Sequence, residues 1–346
     1  MRICEVMAGD EEGGLETHFV DLANGLVEIG EEVTVIAHQR YADRFVPAVR
    51  FRPLDLTRSR RDPFLRRRLR RLIEACKADV VHAHAGKAAA LVNAVSPRAR
   101  TVGTVHGRKR DLRAYRPFDA VIGVSRGVLG GLEHPAKSVV YNGVSAPPKA
   151  LDRDELRAAY GIPPDAAICL AVGRLVAVKR YDRLIELWDH GLGHLLIAGE
   201  GPERDSLEAL AGDKPVTFTG FRADVRAMMG AVDLMVFTSE REGMSYALAE
   251  ALRAGLPVVS TPVPGAEDLL PPSHLAAPGE LKAAIANGLA DPIGARKRMA
   301  DVFDWADRTL TVEHMVLATR DVYRGETIRP GSLPNPPPDD AAASRC

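Results

Sequence analysis

Two carboxylates eight residues apart, Glu242 and Glu250, carry the most chemistry in this sequence. Glu242 follows the apolar run Leu234-Met235-Val236-Phe237-Thr238. Glu250 lies in Ser245-Tyr246-Ala247-Leu248-Ala249-Glu250-Ala251-Leu252, which has helical spacing. A helix starting near Ser245 puts Glu250 on its second turn and leaves Glu242 in the loop at its mouth. Carboxylates so placed, about 8–12 Å apart, can grip hydroxyls at separated points of one ligand. Past Gly243, the amides near Met244 and Ser245 add donors at the helix start.

A second group follows the strand-like stretch Ala167 to Val172: Gly173-Arg174-Leu175, then Lys179. Glycine clears space after a strand, Arg174 can fork two phosphate oxygens, and Lys179 adds a compact charge. The pair suits a leaving diphosphate, although arginine and lysine are more often simply solvated. Near the N-terminus, Gly13-Gly14 sits between a strand pattern and a helical one, in Asp10-Glu11-Glu12-Gly13-Gly14-Leu15-Glu16-Thr17. Paired glycines there let an anion reach the free amides of the helix start. The spacing is not GxGxxG, and an ordinary tight turn has the same composition. Three histidines stand at strand ends: His82 and His84, which alternation points to one face, and His106 in Thr104-Val105-His106-Gly107. Zinc would need a third or fourth ligand, and the sequence suggests none. His82 and His84 are read as lining an acceptor side together with Lys87, or equally as structural. His106 is a site candidate because strand-end loops favour sites. Asp152-Arg153-Asp154 has the form of a metal-binding DxD. It follows a proline linker and opens a helical run, so helix capping is the better reading.

Positioning these residues requires alternating strands and helices. Strands are expected at 2–7, 32–37, 79–83, 101–105, 120–124 and 138–141, with helices at 16–29, 64–77 and 86–94 between them. After Ser145-Ala146-Pro147-Pro148-Lys149, which stops both periodicities, the alternation restarts. Strands are then expected at 167–172, 194–198, 216–219, 234–238 and 257–260. Helices are expected at 181–188, 203–211, 222–229 and 245–254, with three more between 280 and 323. The fold class is α/β, two doubly wound Rossmann-like domains facing a cleft. The expected division is 1–145, 146–308, a helix at 309–325 crossing back to the first domain, and a disordered tail at 326–346.

Composition excludes several classes. The 346 residues suit about two domains. Lys and Arg number 46, as do Asp and Glu, so the chain is neither a uniformly basic nucleic-acid protein nor an acidic disordered one. The four cysteines, at 4, 76, 169 and 346, form no CxxC pair and support neither a disulfide framework nor a zinc knuckle. No stretch approaches the apolar length of a spanning helix, and the start lacks a signal-peptide layout. A cytoplasmic enzyme is expected.

The ordered set of motifs resembles retaining GT-B glycosyltransferases of family 4. The segment Glu242 to Glu250 is similar to their Glu-x7-Glu element, Gly13-Gly14-Leu15-Glu16 to their GGxE loop, and Gly173-Arg174-Leu175 with Lys179 to their phosphate-binding pair. Val140-Tyr141-Asn142-Gly143-Val144, Gly199-Glu200-Gly201-Pro202 and Phe218-Thr219-Gly220-Phe221 also agree in order and spacing, over roughly residues 1–323. The resemblance implies a nucleotide-diphosphate sugar donor, UDP-linked by family weight, and no metal. Glu250 would hold the ribose, and Glu242 would hold the donor sugar with the amides of Met244 and Ser245. Arg174 and Lys179 would stabilise the diphosphate as it leaves. Gly14 would approach the diphosphate, Gly199, Glu200 and Phe221 would border the base, and His106 would meet the sugar hydroxyls. Family members often have Phe-Gly where this chain has Met244-Ser245, which leaves the sugar open.

Eight arginines lie between Arg58 and Arg71, including Arg66, Arg67, Arg68, Arg70 and Arg71, opposed only by Asp62. Interleaved Phe64, Leu65, Leu69, Leu72 and Ile73 give the helix one apolar and one cationic face. Such a face fits an anionic membrane surface or a phosphorylated acceptor. The absence of an aromatic platform argues against nucleic acid, and a solvated helix has the same pattern. The expected partner is an anionic glycan or glycolipid, lipid-linked or polysaccharide, such as lipopolysaccharide core. Peripheral contact with the cytoplasmic face of the inner membrane would accompany it. The alternatives are a GT-B sugar phosphorylase and a non-catalytic membrane or nucleic-acid binder.

Overall fold

The computed structural model describes residues 1–108 and 111–329. Lys109, Arg110 and the expected tail beyond 329 lie outside them. The chain forms two compact units, Met1–Gly143 with the segment beginning at Thr311, and Val144–Leu310.

The first unit holds seven parallel strands: β1 (Arg2–Met7), β2 (Glu32–Ala37), β3 (Arg50–Pro53), β4 (Val80–His84), β5 (Arg100–Val105), β6 (Ala120–Gly123) and β7 (Lys137–Val139). Their order is β3-β2-β1-β4-β5-β6-β7, so the sheet reverses its winding between β1 and β4. Strands buried on both faces need continuous rather than alternating apolar residues. β1 supplies Ile3, Cys4, Val6 and Met7, with Glu5 as the one charged interruption. Helix α1 (Gly14–Glu28) covers one face with Phe19, Leu22 and Leu26. The terminal helix Val312–Arg324 packs beside it and adds Met315, Val316 and Val322 to the same core.

Helix α2 (Pro63–Cys76) is nucleated by its sequence. Asp62 accepts from the amides of Phe64 and Leu65, Pro63 takes the first helical position, and Lys77 closes the helix in the left-handed region. Leu65, Leu69 and Ile73 recur at four-residue spacing and are buried. Helix α3 (Ala85–Val95) follows β4 with no loop; Ala85 takes φ 65 to make the turn.

The second unit holds β8 (Ile168–Val172), β9 (His194–Ala198), β10 (Val216–Gly220), β11 (Leu234–Phe237) and β12 (Val258–Ser260), ordered β10-β9-β8-β11-β12. Its winding reverses between β8 and β11. Trp188, Leu184, Leu195, Ile197, Leu234 and Ile285 centre its core.

Two elements escape the sequence pattern. β3 reads Arg50-Phe51-Arg52-Pro53, with no apolar run, because it is an edge strand. Helix Pro264–Leu269 is too short to show a period. The last stretch forms four helices rather than three, since Asp291 and Pro292 break it and restart it. Asp152 caps helix Arg153–Tyr160, accepting from the amides of Asp154 and Glu155. Residues 145–150 are an exposed linker without regular structure. Among the described residues no helix is long and apolar enough to cross a membrane.

Candidate active site

Open parallel sheets take ligands beyond the carboxyl ends of their strands, at the point where the winding reverses. In the second unit that point lies between β8 and β11, and the two loops that leave these strands carry the charged residues picked from sequence. The Lys179 ammonium donates to Glu242 Oε1, and Ser239 Oγ lies 3.1 Å from the same oxygen. Both charged side chains are 19% exposed. The loops are also strapped together by Thr238 Oγ1 donating to the Lys179 carbonyl at 2.7 Å and by the Glu240 amide donating to the Val178 carbonyl at 2.9 Å. Arg174 is exposed on the β8 loop.

Glycine is required where the β8 and β9 loops meet. Gly173 and Gly199 hold φ 152 and 147, and a Cβ on Gly199 would lie 2.0 Å from the Gly173 carbonyl oxygen. The neighbouring Glu200 is exposed and pairs with Arg204 at 2.6 Å. Phe221, after β10, is 78% exposed. Helix Tyr246–Arg253 starts at Ser245, whose side chain makes no capping bond; Gly243 and Met244 before it are buried. Glu250 lies one turn on. Its Oε1 is 3.4 Å from Arg226 Nε, and Arg226 also donates to the linker carbonyls of Ser145 and Ala146. Nothing in the sequence singles out Arg226 or Ser239; the fold brings them to the two glutamates.

The first unit gathers the histidines at its own reversal point, between β1 and β4. His82 and His84 share a face, as alternation requires, with ring centroids 4.0 Å apart. That face is interior: both are fully buried, so neither reaches solvent as an acceptor-lining residue would. His82 Nδ1 lies 2.7 Å from Tyr323 Oη, and its Nε2 lies 2.6 Å from Thr104 Oγ1. His84 Nδ1 lies 3.4 Å from His106 Nε2. His18, from α1, joins them: its ring is edge-on to His106 at 4.7 Å, and Nδ1 is 3.0 Å from Asn142 Oδ1. Glu5 completes the group, with Oε2 3.6 Å from His84 Nε2.

Burial pushes His18 down to about 4, partly opposed by its bond to Asn142. Burial, then the neighbouring imidazoles, lowers His84 and His106 as well, so these rings are neutral near pH 7.

The sequence offered no third metal ligand for His82 and His84, and the tertiary structure corrects this. One ligand atom each from His18, His84 and His106 lies within 4.8 Å of the others, and so do those of Glu5, His82 and His84. These are the groups among the described residues that could hold a metal. Glu5 was legible as a charge inside an apolar strand; His18 and Tyr323 carried no signal.

The remaining candidates belong to the first unit. Gly14 opens α1. The Lys87 ammonium is held by the Thr57 carbonyl. On the arginine helix, Arg66 Nε donates to the Arg60 carbonyl and Arg70 to the Val95 carbonyl. Arg67, Arg68 and Arg71 stand exposed, near Phe64, which is 81% exposed.

Comparison with known proteins decides the family. The Glycosyltransferase Family 4 profile matches residues 12–146, and the Glycosyl transferases group 1 profile matches residues 166–292. The chain belongs to the family 4 glycosyltransferases. This glycosyltransferase is 29% identical over 266 residues to the lipopolysaccharide core biosynthesis glycosyltransferase LpsE of Rhizobium meliloti, spanning 72% of this chain and 76% of that one. It is 30% identical over 195 residues to the 2-deoxystreptamine glucosyltransferase of Streptomyces kanamyceticus, of whose length the match spans only half. Its fold is similar to that of Anabaena HepE, solved in complex with UDP, with TM-score 0.79 at 18% identity over 94% of this chain and 100% of that one. The expectation of two Rossmann-like domains of the GT-B class therefore holds.

Proposed function

We propose that this glycosyltransferase takes a nucleotide-diphosphate sugar, with uridine as the favoured base, and transfers the sugar with retention to an anionic acceptor. The observation that carries this reading is the Lys179–Glu242 pair at the β8/β11 reversal, with exposed Arg174 on the same loop. A cation beside a carboxylate suits a ligand that is anionic at one end and hydroxylated at the next. Lys179 and Arg174 neutralise a departing diphosphate, while Glu242 accepts from sugar hydroxyls. Glu250, one helix turn along, takes the ribose hydroxyls, and Gly173, Gly199, Glu200 and Phe221 border the base. The cations and the helix amides supply the positive charge, so the reaction runs without a metal. The leaving phosphate takes the acceptor proton on the face of attack.

The acceptor is a lipid-linked or polysaccharide anion, and lipopolysaccharide core is the favoured type because LpsE acts in its synthesis. The exposed arginines of α2 with Phe64 between them support an anionic surface as its platform, the cytoplasmic face of an inner membrane.

The test is nucleotide release from a panel of UDP- and GDP-sugars in EDTA, with acceptor extracts, followed by NMR of the product anomer. Release from one donor with a retained anomer supports the reading. Dependence on added metal, an inverted product, or phosphorolysis without nucleotide would overturn it. Vesicles of anionic lipid should retain the protein and lose it when Arg67, Arg68 and Arg71 become Gln; no binding by the unaltered protein removes the membrane platform.

A further inference from the structure

With Glu5 ionised and His82 neutral, the contacts around them fix one placement of protons. Glu5 is fully buried on β1, in register beside His82 of β4. As a carboxylate it can only accept. Tyr323 Oη is 3.2 Å from Glu5 Oε1, so its proton points there, and His82 Nδ1–H donates to Oη at 2.7 Å. His82 Nε2 is then bare and accepts from Thr104 Oγ1 at 2.6 Å. The other carboxylate oxygen, Oε2, and His84 Nε2 are both buried without a hydrogen-bond partner and face each other at 3.6 Å. A bare Nε2 there would set two lone pairs against each other, so Nε2 carries the proton. A neutral His84 then presents a bare Nδ1 to His106 Nε2, 3.4 Å away, which must be the protonated nitrogen of His106.

We infer that Glu5 and His84 are positioning residues: they hold His106 as the Nε2–H tautomer, leaving its Nδ1 a bare acceptor for a ligand hydroxyl. A hydrogen-bonded chain runs from His82 through Tyr323 to one carboxylate oxygen, while His84, in contact with His106, faces the other oxygen at 3.6 Å without a hydrogen bond. Burial of the rings, which keeps them neutral, makes the tautomer rather than the charge the variable under control. The tautomer stands apart from the transferase reading above; the turnover expected of its variants rests on that reading.

The experiment is long-range 1H–15N spectroscopy of the full chain labelled at histidine nitrogen, with the His106 signals assigned by their loss in His106→Gln. The expected spectrum shows His106 neutral and protonated at Nε2. A ring protonated at Nδ1, or at both nitrogens near pH 7, would overturn the inference without any reference to activity. Glu5→Met removes the acceptor at the end of the chain and should yield a mixture of His106 tautomers. With it, kcat/KM for the nucleotide sugar should fall about tenfold, the effect of losing roughly one hydrogen bond. Tyr323→Phe breaks only the other branch and should leave the His106 tautomer as it was. Unchanged tautomers in folded Glu5→Met, or equal loss of tautomer in Tyr323→Phe, would sink the assignment. If Glu5→Met does not fold, the spectrum of the unaltered protein still decides. The predicted tautomer without turnover of any nucleotide sugar would count against the transferase reading alone.

Discussion

Replacing Lys179 by methionine removes a charge and keeps the length of the stem. The pair it leaves is a fifth exposed on each side, between a surface ion pair worth about 0–1 kcal/mol and a buried one whose breaking costs about 3–5 kcal/mol. The Ser239 hydroxyl remains to Glu242, so the cost to folding should be about 2 kcal/mol. The cost to transfer should be larger. Removing one preorganised donor from developing charge costs about 100- to 1000-fold in rate, and Lys179 cannot be replaced in that role by the exposed Arg174 alone. Glu242→Gln has a different signature: it frees the ammonium and removes a negative charge, so nucleoside diphosphate should bind at least as tightly while transfer falls. In Lys179→Met with Glu242→Gln, no uncompensated carboxylate remains, so the double variant should be more stable than Lys179→Met alone. The assays are urea unfolding for the four proteins of the cycle, diphosphate release at saturating donor, and calorimetric titration of the nucleotide. A folded Lys179→Met within threefold of the parent rate, or a double variant less stable than both singles, would show that Lys179 is a solvated surface lysine.

Three further outcomes follow from particular residues. His18 titrates at about 4 in the folded chain against 6.5 in the unfolded one. The unfolded state therefore binds the extra proton between these values, and stability contributed above pH 6.5 is lost as pH falls toward 4. At about 1.4 kcal/mol per unit the loss approaches 3 kcal/mol, and unfolding of His18→Gln between pH 7 and 4.5 should show a flatter slope; an unaltered slope refutes this. Asp152→Ala should cost about 1 kcal/mol through the lost cap while Asp152→Asn costs little, and neither should change transfer; a loss of transfer restored by added metal would return these aspartates to a metal site. Gly199→Ala should fail to fold or melt far lower, since its Cβ would sit 2.0 Å from a backbone carbonyl oxygen; a melting temperature within a few degrees of the parent would show that the loops can separate.

How much of this was written in the chain depends on the range of the interaction. Apolar runs such as Ile3 to Met7 and Leu234 to Phe237 name their strands because parallel strands must be apolar on both faces. Asp62 with Pro63, and Asp152, name their helix starts because a cap is satisfied within three residues. Glu242, Glu250, Gly173, Arg174 and Lys179 stood out for the same local reason: each follows a strand or opens a helix, where ligands meet backbone. β3 was silent because an edge strand needs little burial. What the sequence could not supply was pairing across distance. Lys179 meets Glu242 over 63 residues and His82 meets Tyr323 over 241. Glu5, His18, His84 and His106 come from four separate elements. The neutrality of the three histidines and the metal-capable spacing of the group arise from burial and from neighbours that only the folded sheet brings within a few ångströms.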